Sequence, residues 1–208
     1  MNKKKGTPIS RTGMPYIQLY DERSQRLYIN EDERLRFLHA AEKAPGVDCT
    51  LAMTLLYTGC RISEALALTV DSVQLKPGLV TIRTLKKRGP RVHIRQVPIP
   101  PGLAYLLQCH HPFHAINAQG RANQVLLWPI SRSTAWRRIS NLMDAAGIVG
   151  VQATPKGLRH GFGVHCVLRG VQLNMLQKWM GHASIGVTAG YANASGPEEF
   201  AVCARTWD

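Results

Sequence analysis

A chain of 208 residues, 45% of them apolar, can build one core with room for a short extension. Lys and Arg total 26 against 13 Asp and Glu, a formal charge of +13. That excess points to an anionic partner, nucleic acid first, with a merely solubilising or ribosome-associated surface as the plainer account. No stretch approaches the roughly 18 consecutive apolar residues of a membrane span. No apolar run follows the basic opening MNKKKGTPISRTGMP, so no secretory leader is expected. Five cysteines without a CxxC pair suit reduced thiols in a cytosolic protein.

Residues 1–28 read as a basic, partly flexible extension opened by Lys3, Lys4 and Lys5, in which IQLYDERSQRLYI suits a small hairpin. The compact part is expected over 29–208. Asn30, three residues before Glu33, has the pattern of a capping box, and Leu35, Phe37, Leu38 and Ala41 give the following helix an apolar face. Pro45 and Gly46 end it. CTLAMTLLYT then predicts a buried helix that Gly59 breaks, and RISEALAL resumes a helical pattern. The period next changes to two. LVTIR and VHIRQVPI alternate and predict an antiparallel hairpin, joined by the basic link TLKKRGPR. A helix around GLAYLLQ leads to a His-rich loop. Its Cys109, His110, His111 and His114 lack the second, separated cluster that a zinc site draws on, so a polar loop is expected and no metal.

SRSTAWRRISNLMDAAG predicts a strongly amphipathic helix, with Ser133 as its cap, Gly147 at its end and Trp136 in the core. Arg137 and Arg138 then face DNA or solvent. Further helices read through GLRHGFGVHCVLRG, VQLNMLQKWMG and SIGVTAGYAN, and the tail from about residue 196 suits a short helix with Phe200, Val202 and Trp207 as apolar positions. The expected class is α+β, mainly helical with a small antiparallel three-stranded sheet.

Four islands remain: TGCRISEALALT around Arg61, the basic turn around Lys86, PKGLRHGFG around Arg159, and MGHASIGVTAGY ending at Tyr191. Taken singly each is ordinary. An arginine at a helix start is usually a surface residue, and Glu64 three residues on suits a plain ion pair. In this order and spacing, with nine positions from His182 to Tyr191, they resemble the tyrosine recombinase, or phage integrase, family over roughly residues 29–195.

The resemblance implies a DNA breaking and rejoining enzyme with Tyr191 as nucleophile. Arg61 and Arg159 would grip the nonbridging oxygens of the scissile phosphate, where paired guanidiniums neutralise charge on pentacoordinate phosphorus. His182 would bond a nonbridging oxygen, and Glu64 would orient Arg61. A hairpin lysine protonates the leaving 5′-oxygen in the family. Lys86 has the nearer spacing and Lys87 is its rival, while Lys87 and Arg88 also suit phosphate contacts. Cleavage leaves a 3′-phosphotyrosine and conserves the bond energy, so no cofactor is implied.

One position departs from the family pattern. Lys156 stands where the family has His, and a lysine with a reference pKa of about 10.4 is a poorer base. The acceptor of the Tyr191 proton is therefore open, and His160 falls where the family packs its helix.

Residues 1–28 are too few for the clamp domain that precedes most family members, a plan similar to short fimbrial-switch invertases. The family further implies a double-stranded DNA site, four protomers on DNA, a tail from about residue 196 either docked on a neighbouring subunit or packed on its own domain, and a cytoplasmic, nucleoid-associated setting in a bacterium, phage or plasmid. Two rivals stay open: cleavage and religation without partner exchange, as in type IB topoisomerases, and a silent DNA-binding regulator that keeps the fold.

Overall fold

The computed structural model describes residues 17–84, 93–113 and 125–207. Helix α1, Glu31–Glu42, starts at a full capping box. Asn30 Oδ1 accepts from the Glu33 amide at 2.9 Å, and Glu33 Oε2 accepts from the Asn30 amide at 3.0 Å. Its inner face carries Arg34, Phe37 and Ala41, whereas Leu35 is 57% exposed. Leu35 lies two residues from Phe37, roughly 200° around the helix, so both cannot face inward. Arg34 takes the interior place by donating to the Leu56 carbonyl at 3.1 Å.

Helix α2, Gly46–Thr58, is buried along almost its whole length and runs through the main core. It stops at Gly59, whose φ of 58° is left-handed. A side chain there would also strike the Phe162 ring, 2.3 Å from the position of its Cβ. Helix α3, Ile62–Ala65, is a single turn with Arg61 at its N-cap.

Strands β1 (Val73–Gln74), β2 (Leu79–Arg83) and β3 (Ile94–Pro98) form an antiparallel sheet in that order, with Val80 opposite Val97 and Ile82 opposite Arg95. The alternation points Val80, Ile82, Val97 and Arg95 inward. Helix α4, Pro101–His110, follows. His111, just beyond it, is buried edge-on against Trp128 and bonded to Thr50, a packing role. His114 lies outside the described residues.

Helix α5, Arg132–Ala145, corrects two expectations. Its cap is Ser131, which accepts from the Thr134 amide at 3.0 Å, and Ser133 is already inside the helix. Ala135, Ile139 and Met143, spaced by four, fill the buried stripe. That leaves Trp136, one position off the stripe, 47% exposed.

Helices α6 (Pro155–Leu168), α7 (Leu173–Met180) and α8 (Ile185–Ala189), a 3-10 turn over Gly190–Asn193 and helix α9 (Pro197–Cys203) complete the fold. They surround a second core of Leu19, Tyr28, Phe162, Val164, Cys166, Leu168, Leu176, Met180 and Tyr191. Packing therefore begins well before Ile29. The expected hairpin forms around the Tyr20–Arg26 bridge and is part of this core. Among the described residues no helix is long and apolar enough to cross a membrane. The expected class, mainly helical with a small antiparallel sheet, is the one observed.

Candidate active site

Arg61, Arg159, His182 and Tyr191, remote along the chain, meet where α2, α6 and the α7–α8 link converge. Arg61 begins α3 and turns its NH1 onto Glu64 Oε1 at 2.9 Å, while its own amide donates to Oε2 at 3.0 Å. The Arg61 side chain keeps 30% exposure, enough to face a ligand. Glu64 is buried, and Arg95 on β3 donates its NH2 to Oε2 at 2.7 Å. Burial pushes the Glu64 carboxyl up, but the Arg95 bond and the Arg61 contacts outweigh it and hold it below the usual carboxylate range.

Arg159 is 93% withdrawn from solvent, at 7% exposure. Its NH1 donates to the Gly59 carbonyl at 2.6 Å and its NH2 to the Met180 carbonyl at 2.8 Å and to His182 Nε2 at 3.0 Å. The left-handed turns at Gly59 and Gly181 end α2 and α7 here, so both carbonyls belong to helix ends with acceptors left to fill. Burial first, and then Arg61, bring Arg159 down to about 10, leaving it a cation at neutral pH. His182 Nδ1 meets Thr188 Oγ1 at 3.0 Å. Because Nε2 accepts from a guanidinium, the bond network assigns the ring proton to Nδ1.

Tyr191 sits on the 3-10 turn with no exposed surface. Its ring stacks on His182, centroids 5.9 Å apart at 19°. Gly163 leaves room for that ring, since a Cβ there would lie 2.6 Å from it. The hydroxyl meets His160 Nδ1 at 3.3 Å. Burial pushes the phenol up to about 12 although Arg159 and Arg61 pull it down.

His160 itself is brought down to about 3 by burial and then by Lys156 and Arg159. Neutral His160 accepts a hydrogen bond from the phenol at Nδ1, and its buried Nε2 has no hydrogen-bond partner among the described residues. The ring at position 160 thus touches the phenol as well as packing the helix. Lys156, in the first turn of α6, is exposed.

Lys86, Lys87 and Arg88 lie outside the described residues. The base of their turn is tied to the site, because Arg95 NH1 donates to Thr84 Oγ1 at 2.9 Å and its Nε to the Trp179 carbonyl at 2.7 Å. Arg137 is exposed on α5, and Arg138 is held by Asp48 at 2.5 Å. No contact among the described residues joins either to the cluster.

Sequence reading missed Arg95 and set His160 aside as a helix-packing position. Arg95 had a signal, an arginine at an inward position of an alternating strand, which demands a buried acceptor. His160 had none beyond adjacency to Arg159.

Burial and the neighbouring cations also bring His182 down to about 3. Both rings protonate near 6.5 in the unfolded chain but near 3 in the fold. Between those values the unfolded chain binds more protons, so stability is complete above about pH 6.5 and falls as pH drops, by up to about 1.4 kcal/mol per pH unit for each ring. Urea titrations should show the unfolding midpoint falling between pH 7 and pH 5. A flat profile there would mean that neither ring is held neutral.

The sequence profile of the phage integrase family matches residues 27–196. Tyrosine recombinase XerD of Haemophilus ducreyi is 29% identical over 150 residues, 69% of this chain and 49% of that relative. The chain thus spans about half the length of this curated relative. The crystal structure of XerA recombinase superposes with a TM-score of 0.73 at 23% identity, covering 88% of this chain and 66% of the other. XerH site-specific recombinase bound to its difH substrate, a pre-cleavage complex, gives 0.66 at 19% identity, covering 96% and 60%. Both structural likenesses are of fold.

Proposed function

We propose, from the premise that this chain belongs to the phage integrase family, that it cleaves and rejoins DNA at specific sites through a 3′-phosphotyrosine on Tyr191. The observation that carries this reading is the single cluster formed by two guanidiniums, an imidazole and a phenol. Arg61 and Arg159 would take the nonbridging oxygens of the scissile phosphate. Glu64, braced by Arg95, would fix the fork of Arg61. His182 has its Nε2 occupied by Arg159 in the free protein. An arriving phosphate brings negative charge that favours a proton on that nitrogen, so His182 would then donate to the phosphate.

Attack by the Tyr191 oxygen forms the phosphotyrosine and breaks the bond to the 5′-oxygen, which would leave with a proton from Lys86 or, as its rival, Lys87. His160, held near 3, accepts a hydrogen bond more readily than a proton. Lys156 remains the positional match for the family's base. The substrate would be a double-stranded recombination site, bound with the help of Lys87, Arg88 and Arg137 at phosphates. Four protomers would exchange strands on it in the cytoplasm.

The test is covalent capture on nicked suicide duplexes with randomised arms. Expected is an adduct that survives SDS, is lost to protease and is indifferent to EDTA. Captured sites should then support strand exchange between two matched copies. Relaxation of supercoils with a single site and no exchange would move the reading to a topoisomerase, and no adduct from the whole pool would leave a silent DNA-binding protein.

A further inference from the structure

The segment that carries Tyr191 is contacted on both flanks by the first described residues. Residues 17–28 form a braced hairpin. Asp21 Oδ1 accepts from the Arg23 and Gln25 amides at 2.9 and 2.8 Å, and Arg26 grips Glu33 through both nitrogens at 2.5 and 3.0 Å. This hairpin touches the nucleophile segment on both sides of Tyr191. Before it, Ile17 lies so close over Gly190 that a Cβ on Gly190 would be 3.1 Å from the Ile17 backbone. After it, the Tyr20 hydroxyl accepts from the Ser195 amide at 2.9 Å and from Ser195 Oγ at 3.0 Å. Leu19 and Tyr28 share the core that holds Tyr191.

Attack on phosphorus needs the phenol oxygen in contact with DNA, yet Tyr191 has no exposed surface and turns its hydroxyl to His160. Ile17 and Tyr20 sit on the two flanks of the turn that carries it.

We infer that residues 17–28 are a strap that keeps the nucleophile shut away in the free protein, and that Tyr20 is the positioning residue through which the strap grips the Tyr191 segment. This rests on Tyr191 being the nucleophile proposed above. The Tyr20–Ser195 bonds are exposed to solvent. Each is therefore weak, and the closed state is favoured over the open one by a modest factor that DNA binding can overcome. The strap turns a fixed pocket into one that opens on demand.

Two substitutions test it: Tyr20→Phe, which deletes every bond to Ser195 while keeping the ring, and Ser195→Ala, which deletes only the hydroxyl contact. The first readout needs no DNA. Tetranitromethane nitration of the free protein is mapped by peptide mass, with the exposed Tyr105 as internal reference. Tyr20→Phe should raise nitration at Tyr191 by roughly three- to tenfold, Ser195→Ala by less, and neither should change Tyr105. The second readout is single-turnover cleavage of a captured suicide duplex, which should accelerate in the same order with DNA affinity unchanged.

Unchanged nitration at Tyr191 in both variants overturns the strap. Faster nitration with slower cleavage overturns its closing role, since the hairpin would then be aligning the phenol for attack. If neither wild type nor variant cleaves any duplex, the reading of Tyr191 as nucleophile fails, and nitration alone still decides whether the hairpin shields it.

Discussion

Tyr191→Phe should form no covalent DNA adduct while folding and binding DNA as the wild type does. The loss expected is at least about a thousandfold in cleavage, because no other group can take the phosphoryl bond. The substitution is unusually clean here. The ring keeps its stack on His182 and its fit against Gly163. Only the contact to His160 Nδ1 disappears, leaving that nitrogen buried without a donor. One unmade buried hydrogen bond costs about 1–3 kcal/mol, which a domain with this much core survives. The proposed DNA affinity would rest on phosphate contacts from basic side chains, which loss of the phenol oxygen leaves in place. Gel shift, thermal melt and covalent capture on one duplex separate the three effects. An adduct that persisted in Tyr191→Phe and mapped to another residue would remove the proposed mechanism at its centre.

What the sequence made legible follows a physical line. Features set by neighbours along the chain could be read directly. The Asn30–Glu33 capping box and the glycine that must take a positive φ after α2 needed only local geometry. The period-two strands and the apolar run of α2 likewise announced themselves. The four-residue cluster was legible because its order and spacing resemble those of a known family, although no local rule brings Arg61 to Arg159.

Features decided by tertiary packing were not legible. A helix face is fixed by which partner it meets, so a phase error of one or two positions exposed Leu35 and Trp136 and buried Arg34 instead. Two serines near the start of α5 both suit a cap, and only the chain's entry angle selects Ser131 over Ser133. The bracing of Glu64 by Arg95 spans 31 residues and depends on sheet register. The hairpin before Ile29 looked like a polar extension because its two buried anchors, Leu19 and Tyr28, find their core in α6 and α7 rather than beside them.

Arg159→Lys should keep the charge and lose the chemistry. The guanidinium serves three acceptors from two nitrogens, the Gly59 and Met180 carbonyls and His182 Nε2. A lysine ammonium is a point donor on a flexible stem and cannot span that fork. At least one helix-end carbonyl is then left unmet in the interior, a cost of about 1–3 kcal/mol, and the melting temperature should drop by roughly 2–4 °C for each of those. The larger effect is on the transition state. One lost donor to developing oxyanion charge costs about 2.7–4 kcal/mol, so adduct formation should slow by roughly 10²–10³. Affinity for DNA should barely move, because the net charge is the same.

The defect should also deepen with alkaline pH. Burial that brings Arg159 down to about 10 acts equally on a lysine that starts near 10.4, and its ammonium deprotonates first as pH rises. Single-turnover cleavage against pH, set beside a binding isotherm and a melt, reads all three consequences. Should Arg159→Lys cleave within a few-fold of wild type while melting lower, the arginine would be a strut between α2 and α7, and the phosphate would have to be gripped by Arg61 without it.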